Sequence, residues 1–157
     1  MTNYLGNITA YVTTAQAMII TQGLKGVDTV LILGMGFVKV KATVWNIDEP
    51  GRTREVELLV DTGSTYTVLP ARILNELGIK PMGIRRFRLT DGRVVERNIG
   101  VMGIEVQGFR AYTIVVFGDE GTYLLGSITL EELGLEVDPV RGTLRPTELF
   151  LMLIGRA

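Results

Sequence analysis

The apolar run Val56-Glu57-Leu58-Leu59-Val60 ends on a carboxylate, Asp61, and passes straight into Thr62-Gly63-Ser64-Thr65. Few folds tolerate this. Burying a charge without partners is costly, so an acid at the end of a buried strand needs hydrogen-bond donors placed around it. Small hydroxyl residues and a glycine directly after the acid supply donors and room for a tight turn. The pattern predicts a carboxylate held rigidly where an interior strand leaves the core.

Composition narrows what such a carboxylate can do. The 157 residues contain no histidine and no cysteine. That excludes a Ser-His-Asp triad, a Cys-His pair, a disulfide framework, and any zinc site built from histidine or cysteine. Acid–base chemistry must come from carboxylates, lysine, tyrosine or a bound cofactor. With 46% hydrophobic and 21% charged residues, the chain is long and apolar enough for one domain with a real core. Nineteen glycines against five prolines favour a turn-rich β fold. The formal net charge of −1 and the lack of a basic tail point away from nucleic acid, and Arg85-Arg86-Phe87-Arg88 is read as a solvated strand face. No run is long enough for a membrane-spanning helix, and the stretch Ala15–Ile20 does not read as a secretory signal. A cytoplasmic protein is therefore expected, with no membrane partner.

Residues 1–26 are polar and weakly patterned, and residues 1–34 are read as a peripheral segment. Gly34-Met35-Gly36 looks like a hinge into the functional domain, residues 35–157. Phe37–Trp45 alternates as a strand does, Asp48–Arg52 reads as a turn, and Arg54–Val60 returns as the second strand of a hairpin. Pro70–Leu77 has the form of a short helix, with proline early and Gly78 behind it. Arg85–Leu89 and Val94–Ile99 flank Thr90-Asp91-Gly92-Arg93, and Asp-Gly between two strands signals a hairpin. Gly100–Val106, Phe109–Phe117 and Tyr123–Leu125 follow as separate strands. Ile128–Leu133 is a second helix ending at Gly134, Thr143-Leu144 a short strand, and Glu148–Ile154 a last one. An internal repeat is visible: Leu74-Asn75-Glu76-Leu77-Gly78-Ile79 matches Leu130-Glu131-Glu132-Leu133-Gly134-Leu135. Each copy has a strand and a Gly-Ser upstream, Val60–Ser64 in one and Leu124–Ser127 in the other. Two strand–turn–helix units related by pseudo-symmetry are expected, only the first bearing an aspartate.

Asp-Thr-Gly alone is a weak motif. Its setting is more specific: the strand before it, Ser64-Thr65 after it, Val68-Leu69-Pro70 leading into one helix, and Leu124-Leu125-Gly126 leading into a second. This order resembles the retropepsin-like aspartic protease family across most of residues 36–146. Leu133–Pro139 is similar to stand-alone prokaryotic members.

The resemblance implies an all-β fold, a closed acid-protease barrel with one or two short helices. It implies an aspartic endopeptidase acting on peptide substrates as a homodimer, Asp61 of each subunit supplying half of a catalytic pair, with no metal or organic cofactor. Two carboxylates sharing one proton cannot both ionise, so one activates water while the other hydrogen-bonds the scissile carbonyl. In that scheme Thr62 locks the two turns together, Gly63 lets the backbone approach closely, and Ser64 hydrogen-bonds the outer carboxylate oxygen. Thr90, Asp91, Gly92 and Arg93 hold the place of the flap. Their charge departs from the glycine-rich tips of viral members, and an ordinary solvated hairpin is the other reading. Ser127 departs too, standing where viral members often carry an arginine. Leu149–Ile154 is the natural dimer strand. Trp45, Tyr66 and the methionines are read as core or interface residues. A catalytically inactive module for dimerisation or peptide binding remains the alternative. A metal-dependent hydrolase would need a ligand cluster that the spacing of the acids does not supply.

Overall fold

The hairpin that delivers Asp61 is made of β4 (Lys39–Asn46) and β5 (Glu49–Val60). The coordinates are a computed structural model that describes residues 8–14, 17–24, 27–34, 38–153 and 155, with side chains from Val38 onward. Met35, Gly36, Phe37 and Ile154, which belong to the expected hinge, first strand and last strand, lie outside the described residues. Along β5, Val56, Leu58 and Val60 are buried while Glu57 is exposed, the period-two pattern of a strand with one face on a core. The hairpin turns at Ile47-Asp48, earlier than expected. Asn46 pairs with Glu49 but Trp45 pairs with Thr53, so Pro50-Gly51-Arg52 bulge out of the ladder instead of forming the turn.

Seven strands make the main sheet. They are β4, β5, β6 (Thr67–Pro70), β7 (Gly83–Arg88), β8 (Val94–Val106), β9 (Phe109–Gly118) and β10 (Leu124–Leu125), in the order β4-β5-β10-β6-β9-β8-β7. Strand β4 also pairs with β8 at Thr43–Trp45, so hydrogen bonding runs from β4 through β5, β10, β6, β9 and β8 back to β4. The expected all-β class with two short helices is what is found. Val44, Leu58, Leu69, Leu74, Ile104 and Leu125 sit at the centre of the core, each 0% exposed.

Val94–Ile99 and Gly100–Val106 are one continuous strand, not two. A glycine need not end a strand where another group approaches closely. A Cβ on Gly103 would stand 2.0 Å from the Trp45 ring, and Trp45 is its cross-strand partner. The Arg110 guanidinium covers the same ring at 4.5 Å from its centroid, so Trp45 is a core residue as expected.

Helices α1 (Ala71–Glu76) and α2 (Ser127–Leu133) follow β6 and β10, and each is followed by a glycine with positive φ, Gly78 at 73° and Gly134 at 68°. The central strands β5-β10-β6-β9 read the same from either end. Strand β5 is parallel to β10, and β9 is parallel to β6. The pseudo-symmetry is therefore present, but the expected alignment of its upstream parts is not. The helix match makes Leu69 equivalent to Leu125. Leu125 pairs with Val60, and Leu69 with Phe117. Val60 is thus equivalent to Phe117, and Asp61 to Gly118. Leu124-Leu125 corresponds to the strand before α1, not to the strand that carries Asp61.

After α2, β11 (Leu135–Asp138) pairs with β12 (Thr143–Pro146). The last tie of the chain is the Thr147 amide donating to the Gly134 carbonyl at 2.9 Å. The expected strand from Glu148 is not formed: 148–153 is irregular and Phe150 is 100% exposed. A strand needs a neighbour to bond to, and among the described residues no strand pairs with this segment. Ahead of residue 35, where the sequence pattern predicts no element, three strands form an antiparallel sheet of their own, β1 (Ile8–Thr14), β2 (Ala17–Leu24) and β3 (Val27–Gly34).

Candidate active site

Asp61 leaves the end of β5 half-buried, and its own amide donates to the Leu125 carbonyl at 2.9 Å. Its carbonyl accepts from the Ser64 amide at 3.1 Å, closing a tight turn. The carboxylate is held by that turn: Oδ1 accepts from the Gly63 amide at 2.9 Å. Burial pushes the Asp61 carboxyl above the ordinary aspartate range, and the Gly63 and Ser64 amides pull it part of the way back. This is an acid easier to protonate than one in water, yet still oriented.

The turn rests on the start of α2. The Ser127 amide donates to the Ser64 carbonyl at 2.8 Å and the Ile128 amide to the Thr65 carbonyl at 3.2 Å. Gly126 is the residue that lets them meet, because a Cβ there would lie 2.4 Å from the carbonyl carbon of Tyr66. Thr62 is half-buried, and its hydroxyl has no hydrogen-bond partner among the described residues. Ser64 departs from its expected role. Its hydroxyl donates to the Tyr66 carbonyl at 2.7 Å, not to the outer oxygen of Asp61.

A cleft of about 540 Å³ opens beside this turn, between it and the β7–β8 hairpin. Gly63, Tyr66, Phe87, Val95, Arg97 and Leu124 are among its walls. Tyr66 meets Phe87 edge-on, with ring centroids 6.1 Å apart and planes at 80°, so the aspartate turn and the hairpin touch through two aromatics. Tyr66 is therefore a cleft residue rather than only core. Its signal was its place five residues after Asp61, ahead of the buried Thr67. Phe87 and Arg97 carried no sequence signal, since only the pairing of β7 with β8 decides which of their residues face inward.

Thr90, Asp91, Gly92 and Arg93 form the tip of that hairpin, directly after Arg88 and Leu89, which line the cleft. Gly92 has φ 89°, and its amide donates to the Leu89 carbonyl at 2.9 Å. Asp91 accepts from the Arg93 amide at 3.0 Å and from Arg93 Nε at 2.6 Å, which holds its carboxyl below the usual range. The tip is thus closed by a contact between its own charged residues. Among the described residues, no group of three or more carboxylates gathers closely enough to hold a metal ion. Among the same residues no helix is long and apolar enough to cross a membrane.

The family model described as aspartyl protease matches residues 40–129, more than half of the chain and the whole of the aspartate turn, hairpin and Gly126 junction. The chain belongs to the aspartyl protease family. It is the family that the Asp-Thr-Gly setting resembles. No match was found among curated proteins. Among solved structures, this aspartyl protease family member aligns with the solution structure of simian foamy virus (mac) protease at TM-score 0.44 and 16% identity. The alignment covers 59% of this chain and 91% of the viral one, and the assignment does not depend on it.

Proposed function

We propose that the chain is an aspartic endopeptidase whose site is completed by a second copy, each subunit contributing Asp61. The observation that carries this is the condition of Asp61: a half-buried carboxyl, biased toward protonation, fixed by the amide of Gly63, which itself lines the cleft. One such group makes half of a proton-sharing pair. The matching position in the other half of the chain is Gly118, which has no side chain to offer.

In this reading the ionised Asp61 takes a proton from water. The resulting hydroxide oxygen bonds to the scissile carbonyl carbon, and the protonated Asp61 of the partner subunit hydrogen-bonds the carbonyl oxygen. Collapse of the tetrahedral adduct breaks the C–N bond, and the leaving amine takes its proton from the pair. The Thr62 hydroxyl bridges to the partner turn. The β7–β8 hairpin, with Thr90–Arg93 at its tip, covers a peptide lying in the cleft. Residues 35–157 are the catalytic domain and residues 1–34 a peripheral part. The exposed apolar residues Leu149–Leu153 support assembly, because such a run is an aggregation hazard unless another chain covers it.

The test is incubation with a peptide library at acid pH, alongside Asp61→Asn and with pepstatin as competitor. Cleavage by the wild type alone, blocked by pepstatin and indifferent to chelators, is expected. Cleavage by Asp61→Asn, or loss of activity with a chelator and recovery with metal, overturns the reading.

A further inference from the structure

Behind the aspartate turn runs a chain of buried hydroxyls. The Gly126 amide lies 3.1 Å from Thr67 Oγ1, Thr67 Oγ1 2.6 Å from Thr129 Oγ1, Thr129 Oγ1 2.7 Å from Thr113 Oγ1, and Thr113 Oγ1 2.8 Å from Glu132 Oε1. Thr67 and Thr129 are 0% exposed and Thr113 2%, while Glu132 reaches the surface.

The two ends determine the direction of every bond. A backbone amide can only donate, and an ionised carboxylate can only accept. Thr113 therefore donates to Glu132, Thr129 to Thr113, Thr67 to Thr129, and the Gly126 amide to Thr67. Each hydroxyl accepts one bond and donates one, so none of the three is left unsatisfied. Hydrogen bonds aligned head to tail polarise one another, and a charged acceptor strengthens the bond next to it.

This chain joins three elements and the junction between β10 and α2. Thr67 opens β6, Thr113 lies on β9, and Thr129 and Glu132 are one helical turn apart on α2. It ends on Gly126, the residue whose neighbours Leu125, Ser127 and Ile128 hold both ends of the Asp61 turn. No apolar packing could do the same, because Gly126 has no side chain and the backbone of Tyr66 occupies the space beside it.

We propose that Glu132 is a positioning residue for the Asp61 turn, acting through Thr113, Thr129 and Thr67 on the Gly126 junction. This rests on the reading of Asp61 as the reacting carboxyl. Glu132 does not touch substrate. It orders the hydroxyl protons and so sets where the strand-to-helix junction, and the turn bonded to it, comes to rest. Misplacement of a reacting group by an ångström costs rate far more than binding.

The experiment uses the full chain and four substitutions. Thr129→Val removes the central hydroxyl at nearly constant shape, and Thr129→Ser restores it. Glu132→Met removes the terminal acceptor at an exposed position, and Glu132→Gln keeps an acceptor oxygen. With a cleaved peptide as substrate, Thr129→Val and Glu132→Met are expected to lower kcat about 10- to 100-fold with little change in KM. Thr129→Ser and Glu132→Gln stay near wild type. The amide resonances of Gly126 and Gly63 shift in the first pair and not in the second. Wild-type kcat together with unmoved Gly63 and Gly126 resonances in Glu132→Met overturns the proposal, even if Thr129→Val fails to fold. If the wild type cleaves no peptide, the proteolytic reading falls by itself. The resonances then decide the positioning claim: movement with Glu132→Met but not Glu132→Gln supports it, and no movement ends it.

Discussion

Asp61 and Gly118 occupy equivalent places in the two halves of the domain, Asp61 directly after β5 and Gly118 as the last residue of β9, each long strand pairing in parallel with the short strand of the opposite half. One carries the carboxyl held by the Gly63 amide. At the other, an added Cβ would lie 2.4 Å from Val68 Cγ1 and 3.3 Å from the Leu69 carbonyl oxygen. A side chain at Gly118 would have to displace Val68, and the glycine there supplies no carboxyl equivalent to that of Asp61.

Removing the Asp61 carboxyl tests the chemistry most directly. Asp61→Asn preserves size and the acceptor oxygen facing Gly63 but cannot share a proton. Peptide cleavage is expected to fall by about 10²- to 10⁴-fold, with an unchanged far-ultraviolet circular dichroism spectrum. Residual cleavage at the wild-type rate would remove Asp61 from the mechanism.

The same substitution has a pH signature in stability. Burial raises the folded pKa of Asp61 above its unfolded value. The folded chain therefore holds that proton more tightly. The contribution is full below the unfolded pKa and is lost as pH rises through the folded one. Asp61→Asn, neutral throughout, is expected to melt above wild type at neutral pH, with the gap closing as pH falls below the ordinary aspartate value. A gap that widens in acid contradicts the assignment. Activity itself should follow a bell on the acid side of neutrality, because a singly protonated pair titrates in two coupled steps.

Assembly can be separated from chemistry at the C terminus. Leu151 and Leu153 are 91% and 94% exposed in the single chain. Deleting residues 147–157 leaves Asp61 and its turn intact but removes that surface. Sedimentation should then show a monomer, and peptide cleavage should fall to background. An active monomer at assay concentration would remove the need for a partner.

Gly126→Ala probes the contact beneath the turn. The added carbon would stand 2.4 Å from the Tyr66 carbonyl carbon and 2.8 Å from the Thr67 amide nitrogen, both backbone atoms that cannot rotate away. Overpacking of this kind costs about 1–3 kcal/mol, and urea denaturation should read at least that. Gly51→Ala, at a glycine with no neighbour within 4 Å of the added carbon and no positive φ, serves as comparison.

Much of the molecule was legible from residue order because the signals were local. Alternating burial marked β5, Asp-Gly marked the β7–β8 turn, and a leucine pair followed by glycine marked the ends of α1 and α2, where left-handed φ makes glycine the favoured residue. An acid at the end of an apolar strand, followed by Thr-Gly-Ser, marked Asp61 in a chain with no histidine or cysteine to offer another chemistry. The tertiary structure decided everything that depends on which strand lies beside which. It turned the repeat by one strand, so that Asp61 matches Gly118 and not the Leu124–Ser127 segment. It moved the Ser64 hydroxyl from the carboxylate to the Tyr66 carbonyl, and brought Tyr66 against Phe87. It gathered Thr67, Thr113, Thr129 and Glu132 into one line of hydrogen bonds. Hydrogen bonds across a sheet join residues dozens of positions apart, and a threonine on a strand reads the same whether it faces solvent or another hydroxyl. It also left 148–153 unpaired, since an apolar run becomes a strand only where an edge is present to receive it.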